Sequence, residues 1–269
     1  MPGIRRWWRT MRRWSRDPGR RAIYLGDNTV LAQVKGLKMY LDSRDLSLSP
    51  HLLLDGEWEP HVTTALLKTL RPKMTVVDVG ANVGYFTLLA ARAVGAGGGV
   101  YAFEPEPQNL ELLRRSVEVN GFAGWVHVSE KAVLDKAGSA ALHMPDDSHG
   151  GAPSLFGGWP RQVVVQTVSL DEFFSEGTRV DVVKLDVEGS ESCVFSGMRR
   201  VLDDNPGIVL IMEFTPVIVR GAGRDPADFL AAIRNAGFPL RRISPAAHLD
   251  PMSAEQLVRS DSETLFLQR

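Results

Sequence analysis

The chain has 269 residues, which is enough for one large α/β domain or two smaller ones. Its apolar and charged fractions are ordinary for a globular domain, and a net charge of −1 excludes a bulk electrostatic attraction to nucleic acid. The single cysteine, Cys193, excludes an intrachain disulfide and fits a reducing cytoplasm, and no apolar run is long enough to span a membrane.

Residues 1–21 combine an apolar stripe with arginines on the opposite side. The apolar residues recur at helical spacing and are Ile4, Trp7, Trp8, Met11 and Trp14. The opposite face carries Arg5, Arg6, Arg9, Arg12, Arg13 and Arg16. This pattern predicts a basic amphipathic helix on an anionic membrane surface, and so peripheral attachment to the inner face of the cytoplasmic membrane. The alternatives are a helix docked on its own domain or on a second subunit of a homodimer, and an RNA-contacting arm.

Residues 22–55 predict a small cap of short strands and turns before the main domain, which we place at residues 56–269. The strands are expected at Ala22–Leu25, Val30–Val34 and Met39–Leu41. Leu52–Pro60 is expected to be a loop that enters a helix over His61–Leu70.

The most informative stretch is residues 74–104, which predicts a β-turn-α-β unit. Met74–Val79 is an apolar, β-branched run, and the glycine-containing turn after it leads into a helix over Tyr85–Val94. A second strand, Val100–Phe103, ends at Glu104. Glycines at the first turn and an acid after the second strand are typical of a site for an adenosine-containing cofactor, because the acid accepts hydrogen bonds from ribose hydroxyls.

The details of the turn favour S-adenosylmethionine over a dinucleotide. The third glycine of a G-x-G-x-x-G fingerprint is missing, and Asp78 would repel a pyrophosphate but suit an ammonium group. A nicotinamide-binding oxidoreductase and a plain crossover whose glycines only make turns are the alternatives. The candidate cofactor contacts in this unit are Asp78, Gly80, Asn82, Gly84, Tyr85, Phe86 and Glu104.

The middle of the chain predicts further strands around an irregular loop. A helix is expected over Gln108–Asn120 and a strand over Trp125–Ser129. Two short strands, Gly138–His143 and Val163–Val168, flank a Gly- and Pro-containing segment that could cover an acceptor pocket. His143 and His149 are candidate bases, although a lone loop histidine is more often solvent-exposed and inert.

A second group of polar residues follows the apolar strand Val180–Leu185. The sequence KLDVEGSE, residues 184–191, places Asp186, Glu188 and Glu191 at the end of this strand, where ligands of open parallel sheets bind. A helix is expected over Ser190–Asp204. The fifth strand, Ile208–Met212, ends at Glu213, and Leu240–Ile243 with Thr264–Leu267 are expected to pair as antiparallel edge strands.

Two motifs carry a family resemblance. DVGANVGYFT, residues 78–87, resembles the first motif of class I methyltransferases, and KLDVEGSE resembles the K-x-D-x-E-G-x-E signature of the FkbM family. The resemblance implies an α/β fold with a Rossmann-like sheet of order 3-2-1-4-5-7-6, the last strand antiparallel and helices on both faces. It also implies methyl transfer to a hydroxyl of a sugar, glycolipid or natural-product scaffold; methylation of another acceptor is the alternative.

The resemblance adds candidate cofactor contacts. Glu57–Pro60 looks like an element that lies near the cofactor in the family, which makes Glu59 a candidate. The EPEP sequence after the second strand brings in Pro105. The junction after the third strand usually lies against adenine in class I methyltransferases, which adds Glu130 and Ala132.

For the chemical step we expect Asp186 to serve as the base that accepts the hydroxyl proton, with Glu213 as the second candidate. The two carboxylates could instead hold Mg²⁺, but Phe214 follows Glu213 where a further acid or amide is usual, so a metal is not favoured. A nucleic-acid amino-methylase would carry an N/D-P-P-Y/F element where KLDVEG stands. The expected acceptor is therefore a small molecule or a lipid-linked glycan.

Overall fold

The computed structural model describes residues 22–144, 153–156, 159 and 161–269. The predicted helix over residues 1–21 and the candidate base His149 lie outside these ranges. The strands are β1 (Ala22–Gly26), β2 (Thr29–Val34), β3 (Leu37–Asp42), β4 (Thr75–Val79), β5 (Gly99–Phe103), β6 (Val126–Ser129), β7 (Ala132–Val133), β8 (Gly138–Met144), β9 (Arg161–Val168), β10 (Val182–Leu185), β11 (Val209–Phe214), β12 (Arg241–Ile243), β13 (Leu249–Pro251) and β14 (Glu263–Gln268). The helices are α1 (Leu48–Leu54), α2 (Pro60–Thr69), α3 (Tyr85–Val94), α4 (Pro107–Val119), α5 (Leu170–Phe173), α6 (Glu191–Ser196), α7 (Arg199–Asp204), α8 (Pro216–Gly221), α9 (Pro226–Asn235) and α10 (Ala254–Arg259).

The main sheet has the strand order β13-β12-β14-β11-β10-β4-β5-β6. The pairs among β6, β5, β4, β10 and β11 are parallel, and β14 runs antiparallel to both of its neighbours. Apart from the added edge strand β13, this is the predicted 3-2-1-4-5-7-6 order with one antiparallel strand, so the predicted fold class is confirmed. The carboxyl ends of the parallel strands therefore meet at one edge.

Alternate residues of the sheet strands enter two separate cores. Val76, Val182 and Ile211 pack with α2, α3 and α4 on one face, together with β2 and β3. Val77 and Val183 pack with α5 to α10 on the other face. Because both faces are covered, the central strands read as nearly continuous apolar runs, which is typical of parallel sheets. No helix in the described ranges combines the length and hydropathy needed to cross a bilayer.

The N-terminal strands form their own antiparallel sheet, which packs on α4 through β3. The Tyr40 N–H donates to Ser116 Oγ at 2.9 Å, and the Arg115 guanidinium lies over the Tyr40 ring. Helix α1 follows this sheet, although Leu52–Pro60 was expected to be a loop. The reason is Asp45, whose carboxylate accepts hydrogen bonds from the backbone N–H groups of residues 47, 48 and 49 and so starts a short helix.

The predicted helix over Ser190–Asp204 is wrong in one respect, because the structure divides it into α6 and α7 at Gly197. A Cβ atom at Gly197 would clash with the Leu134 carbonyl oxygen, and the Gly197 carbonyl accepts a hydrogen bond from the Asp171 N–H. The chain bends where it is pressed against the loop after β7 and against Ser169 at the start of α5. Within α6, Cys193 is buried, and its Sγ accepts a hydrogen bond from Arg224 Nη2 at 3.0 Å.

A close approach of two backbones fixes the edge of the sheet. Gly80, in the turn after β4, has a φ of +80°, and a Cβ atom there would overlap the carbonyl oxygen of Asp186 after β10. Both the conformation and the contact require glycine. The turn after β4 and the end of β10 are therefore held against each other.

This contact predicts the effect of Gly80→Ala. The added methyl group meets rigid backbone in a left-handed conformation, so we expect a loss of about 2–5 kcal/mol in the free energy of unfolding. Urea denaturation followed by circular dichroism measures the change. Gly221→Ala is the matched control, because Gly221 has open space around its Cα and no positive φ. Equal stability of Gly80→Ala and wild type would contradict the contact.

Candidate active site

A cavity of about 350 Å³ lies at the carboxyl ends of β4, β5, β10 and β11. Most of the predicted site residues line it, from elements that are far apart in sequence. These are Glu59, Gly80, Asn82, Tyr85, Phe86, Glu104, Pro105, Ala132, Asp186 and Glu213. The structure thus brings together the glycine turn, the acid after β5 and the acids after β10 and β11.

Glu104 is buried and held by two backbone donors. The Asn82 N–H donates to Oε2 at 2.7 Å, and the Glu106 N–H donates to Oε1 at 2.9 Å. Burial raises the pKa of Glu104 to about 8, against the lowering effect of these two hydrogen bonds. Each oxygen keeps a second acceptor site, so the carboxyl group is oriented by the turn and remains able to bind a ligand hydroxyl.

Beyond Glu104 the cavity has an apolar wall. Pro105, Ala132, Val133 and Leu142 line this part, and Leu155 adds to it from the loop between β8 and β9. Leu142 and Leu155 were not predicted. Their side chains come from the β7-β9-β8 sheet and the loop beside it, and the sequence gives no local signal for where that sheet packs.

Asp78 and Lys184 are cross-strand partners on the face of the sheet covered by α3. Thr87 Oγ1 donates to Asp78 Oδ2 at 2.5 Å, whereas Oδ1 is buried with no hydrogen-bond partner among the described residues. Burial raises the pKa of Asp78, and the Lys184 ammonium opposes this shift. Asp78 lies behind the cavity wall, so the structure does not bring it into the lining as predicted.

Lys184 is buried and forms an ion pair with Asp186. Its Nζ lies 2.9 Å from Asp186 Oδ2 and 4.5 Å from the centre of the Phe86 ring. Burial alone would raise the pKa of Asp186, but the Lys184 charge and hydrogen bond outweigh it and keep the pKa below its usual value. Asp186 is therefore an ionised carboxylate at the cavity surface.

Glu213 is the protonated neighbour of Asp186. It follows the last pair of the β10–β11 ladder, Leu185 and Met212, which places the two carboxyl groups side by side. Burial and the nearby Asp186 charge raise the pKa of Glu213 to about 8. Since two adjacent carboxylates resist ionising together, one proton is shared between them at neutral pH, and it resides on Glu213.

Glu188 and Glu59 line the cavity together with Asp186 and Glu213, and these four acids form its polar half. Burial, the Asp186 charge and the Glu191 charge raise the pKa of Glu188 to about 7, and burial with the Asp186 charge raises that of Glu59 to about 6. Glu191 instead turns inward, where its carboxylate accepts a hydrogen bond from the Gly189 N–H at 3.0 Å. The three acids of KLDVEGSE thus have different surroundings, which their spacing alone does not reveal.

A metal ion would find its ligands in this half of the cavity. Asp186, Glu188 and Glu213 each offer a carboxylate oxygen, and these oxygens lie within 4.8 Å of one another. Such a set suits a hard divalent cation. The sequence predicts only Asp186 and Glu213 as a ligand pair, and the structure adds Glu188 to them.

Three lining residues have left-handed backbones. The φ angles are +40° at Glu59, +50° at Asn82 and +48° at Glu188. Non-glycine residues seldom adopt this conformation, and its cost is usually borne at functional sites. At Asn82 the side chain offsets part of the cost, because Oδ1 accepts a hydrogen bond from the Val83 N–H at 2.7 Å.

Three residues that were predicted to belong to the site do not line the cavity. Gly84 caps α3 with a φ of +95°, where a Cβ atom would clash with Leu113, so its role is to let α3 pack on α4. Glu130 is exposed and pairs with Arg114 of α4 at 3.5 Å, outside the lining. His143 is also outside it, and its Nδ1 lies 3.2 Å from the Trp159 carbonyl oxygen.

The loop between β8 and β9 contacts the site through Ser154. Its Oγ donates to the Glu188 carbonyl oxygen at 2.8 Å, and its backbone pairs with His143 on β8. Pro153 and Leu155 on either side reach the cavity. Part of the irregular segment therefore forms a wall of the cavity.

Comparison with known proteins gives a consistent result. The model of the methyltransferase FkbM domain matches residues 78–240, which is more than half of the chain. Hexuronic acid methyltransferase AglP of Haloferax volcanii is 25% identical over 184 residues, 68% of this chain and 70% of that protein. The 31-O-demethyl-FK506 methyltransferase FkbM of Streptomyces tacrolimicus is 27% identical over 217 residues, 69% of this chain and 78% of that protein.

Shorter matches involve protein-L-isoaspartate O-methyltransferases. The one from Aeropyrum pernix is 41% identical over 71 residues, which is 26% of this chain. The chain spans between about a quarter and a half of the length of the two such relatives that it matches.

The raised pKa values predict how stability depends on pH. A carboxyl group whose pKa is higher in the folded than in the unfolded state binds more protons when folded, so the free energy of unfolding falls as the pH rises between the two pKa values. For Glu213 this window runs from about 4.5 to about 8. Wild type should lose about 1–3 kcal/mol relative to Glu213→Gln across it. Urea denaturation at pH 5 and pH 8 measures the free energy of unfolding of both proteins, with the exposed Glu130→Gln as the control. The same difference in this free energy between wild type and Glu213→Gln at both pH values would contradict the prediction.

Proposed function

The chain belongs to the FkbM methyltransferase family, and from this membership we propose that it transfers a methyl group from S-adenosylmethionine to a hydroxyl oxygen. The observation that carries the proposal is a single cavity with an oriented Glu104 carboxyl group in one half and the ionised Asp186 in the other. The first group suits a ribose and the second suits a hydroxyl that must lose its proton.

The residues of the cavity fit the cofactor. Glu104 would accept hydrogen bonds from the ribose hydroxyls, and the wall formed by Pro105, Ala132 and Leu142 would hold adenine. Glu59 and Asp186 carry negative charge that suits a cationic ligand. When bound, S-adenosylmethionine supplies an electrophilic methyl group on a sulfonium centre.

Asp186 would accept the proton of the acceptor hydroxyl. Its low pKa makes it a weak base, but the hydroxyl oxygen becomes positively charged as its bond to the methyl carbon forms. The proton on that oxygen is then strongly acidic, so an ionised carboxylate within reach is a sufficient acceptor. Lys184 holds Asp186 in place, and the remaining contribution of the chain is to align the reacting groups.

Glu213 would assist rather than act as the first base. It carries a proton at neutral pH, and it hydrogen-bonds to Asp186. Ser262 Oγ donates to Glu213 Oε1 at 3.1 Å, which fixes the carboxyl group from the other side. The pair can therefore hold the released proton before it passes to solvent.

The acids of the cavity favour a neutral acceptor. Glu59, Asp186, Glu188 and Glu213 line one region, and the Lys184 charge there is already paired. An acceptor carboxylate would be repelled, whereas the hydroxyl groups of a sugar, a glycolipid or a natural-product scaffold would donate to these oxygens. The name of one relative, a 31-O-demethyl-FK506 methyltransferase, supports a neutral natural-product acceptor, whereas the hexuronic acid in the name of the other relative carries a carboxyl group.

Transfer assisted by Mg²⁺ is the second candidate, because Asp186, Glu188 and Glu213 are close enough to share an ion. Lys184 already neutralises Asp186, and Glu213 is protonated, so we favour a metal-independent reaction. Activity that is lost with EDTA and restored by Mg²⁺ would instead support the metal.

We place the protein in the cytoplasm, attached peripherally to the inner face of the cytoplasmic membrane through residues 1–21, with a lipid-linked glycan as one possible acceptor class. The basic and tryptophan-rich sequence of this segment supports the placement. Comparing the methylated lipids and metabolites of a deletion strain with those of its parent would identify the acceptor.

Replacing the Glu104 carboxyl group should weaken cofactor binding. Glu104→Gln keeps the size of the side chain but replaces one acceptor with an amide N–H₂ that faces backbone donors. Each hydrogen bond to a ribose hydroxyl that is lost contributes about 0.5–1.5 kcal/mol, so we expect the dissociation constant for S-adenosylmethionine to rise roughly tenfold. Isothermal titration calorimetry measures it, with Glu130→Gln as a control of the same chemistry outside the cavity. An unchanged constant would place the cofactor elsewhere.

Asp186→Asn should affect the chemical step and leave cofactor binding in place. The substitution keeps the shape and removes the base, so we expect kcat to fall by roughly 10²-fold or more. Transfer of a radiolabelled methyl group to the acceptor, or to an extract of the deletion strain, gives the rate. Asp228→Asn on the exposed side of α9 is the control. Full activity of Asp186→Asn would remove it from the mechanism.

A further inference from the structure

We propose that strand β1 is a docking surface for an anionic lipid bilayer, to which the arginine-rich sequence that precedes it adds positive charge. The proposal rests on the exposed surface of the N-terminal sheet and on the distribution of charge along the chain. It goes beyond the proposed reaction and does not depend on the identity of the acceptor, and it assigns described residues to a contact so far expected only of residues 1–21.

Strand β1 exposes apolar side chains at the outer edge of its sheet. Ile23 is 59% exposed, Tyr24 62% and Leu25 49%, so both faces of the strand are open. Strand β2 differs, because Val30 and Val34 of the same sheet are buried in the core. Strand β1 therefore extends past the part of the sheet that packs on the domain.

Edge strands of soluble proteins usually carry charges, prolines or bulges that prevent association. In β1 the five residues are AIYLG, with no charged residue and no proline, and a register shift is present only at its end, between Tyr24 and Gly26. Three adjacent exposed apolar side chains at an edge are the kind of surface that is covered by a partner or a membrane.

The charge distribution indicates which partner. Residues 1–21 contain eight arginines and one aspartate, so this segment carries a formal charge of +7. The remaining chain has 23 lysines and arginines against 31 aspartates and glutamates, a net charge of −8. An anionic bilayer would attract the first segment and repel the rest, so contact is confined to the N-terminal end of the chain.

Strand β1 lies in the sequence between the positively charged segment and the negatively charged remainder of the chain. It begins at residue 22, directly after the last two arginines of the basic segment, Arg20 and Arg21. Ile23 and Leu25 alternate with Tyr24, so the strand presents two aliphatic side chains on one face and an aromatic side chain on the other. Apolar side chains that follow a run of arginines in the sequence are the combination that binds the interface of anionic membranes.

The surface is also close to the cavity along the chain. Strand β3 of the same sheet leads through a short loop to α1, and Ser47 and Leu48 at the start of that helix line the cavity. Membrane contact through β1 would therefore hold the catalytic domain by an element that continues into the site wall. Such an arrangement suits an acceptor that is itself anchored in the bilayer.

Flotation of the full-length protein tests the proposal. Vesicles of phosphatidylcholine with one third phosphatidylglycerol should carry the protein upward, vesicles of phosphatidylcholine alone should not, and high salt should reduce the bound fraction because charges are screened. The double variant Ile23→Ser and Leu25→Ser should bind at least fivefold more weakly. The matched control is Val164→Ser with Val217→Ser, which removes two exposed valines, 74% and 68% exposed, from other parts of the surface, and it should bind like wild type.

A second variant keeps the test decisive if the first is unstable. Replacing Arg5, Arg6, Arg9 and Arg12 by glutamine leaves every described residue unchanged and should reduce binding at least tenfold. Wild type that stays with the soluble fraction would overturn the proposal, as would equal flotation of wild type and the β1 variant. A wild-type dimer that the β1 variant dissociates, with no lipid binding, would assign the strand to a second copy of the chain.

Cofactor binding by the same samples separates this proposal from the proposed function. Isothermal titration with S-adenosylmethionine should give the same dissociation constant for wild type and the β1 variant, since Ile23 and Leu25 are not among the described residues that line the cavity. If wild type binds lipid but no cofactor, the membrane surface stands and the proposed reaction fails.

Discussion

The ammonium group of Lys184 lies in the sheet between carboxylates, and the polar half of the cavity depends on it. It pairs with Asp186, stands beside Asp78 on the neighbouring strand and is covered by the ring of Phe86. A buried charge is tolerated only when it is paired, and loss of one partner commonly costs about 3–5 kcal/mol. This single cation therefore sets the charge of Asp186, and through Asp186 it keeps the proton on Glu213.

The chemistry also depends on where the sheet ends. The parallel strands place Glu104, Asp186 and Glu213 at one edge of the sheet. The contact between Gly80 and the Asp186 backbone leaves no space between the ends of β4 and β10. The two halves of the cavity consequently belong to one rigid framework. A further wall comes from the loop that contains Ser154, which contacts this framework at the Glu188 carbonyl oxygen.

The sequence was most informative where a residue's position follows from the strand that precedes it. Glu104, Asp186 and Glu213 each end a strand, so the sheet order alone places them together. It was least informative where tertiary packing decides. Glu188 reaches the cavity whereas Glu191 turns inward, and Glu130 faces solvent, although all three are acids just after strands. The short helix α1 depends on Asp45 capping, and the break at Gly197 depends on a distant loop.

Cys193 offers a practical consequence of the fold. It is the single cysteine of the chain, it is buried within α6, and burial raises the pKa of its thiol, although Arg224 opposes the shift. A thiol that is both covered and protonated reacts slowly with alkylating reagents. A cysteine introduced at the surface would therefore be modified selectively, so that a fluorophore or spin label could be attached at one chosen position without first removing the native thiol.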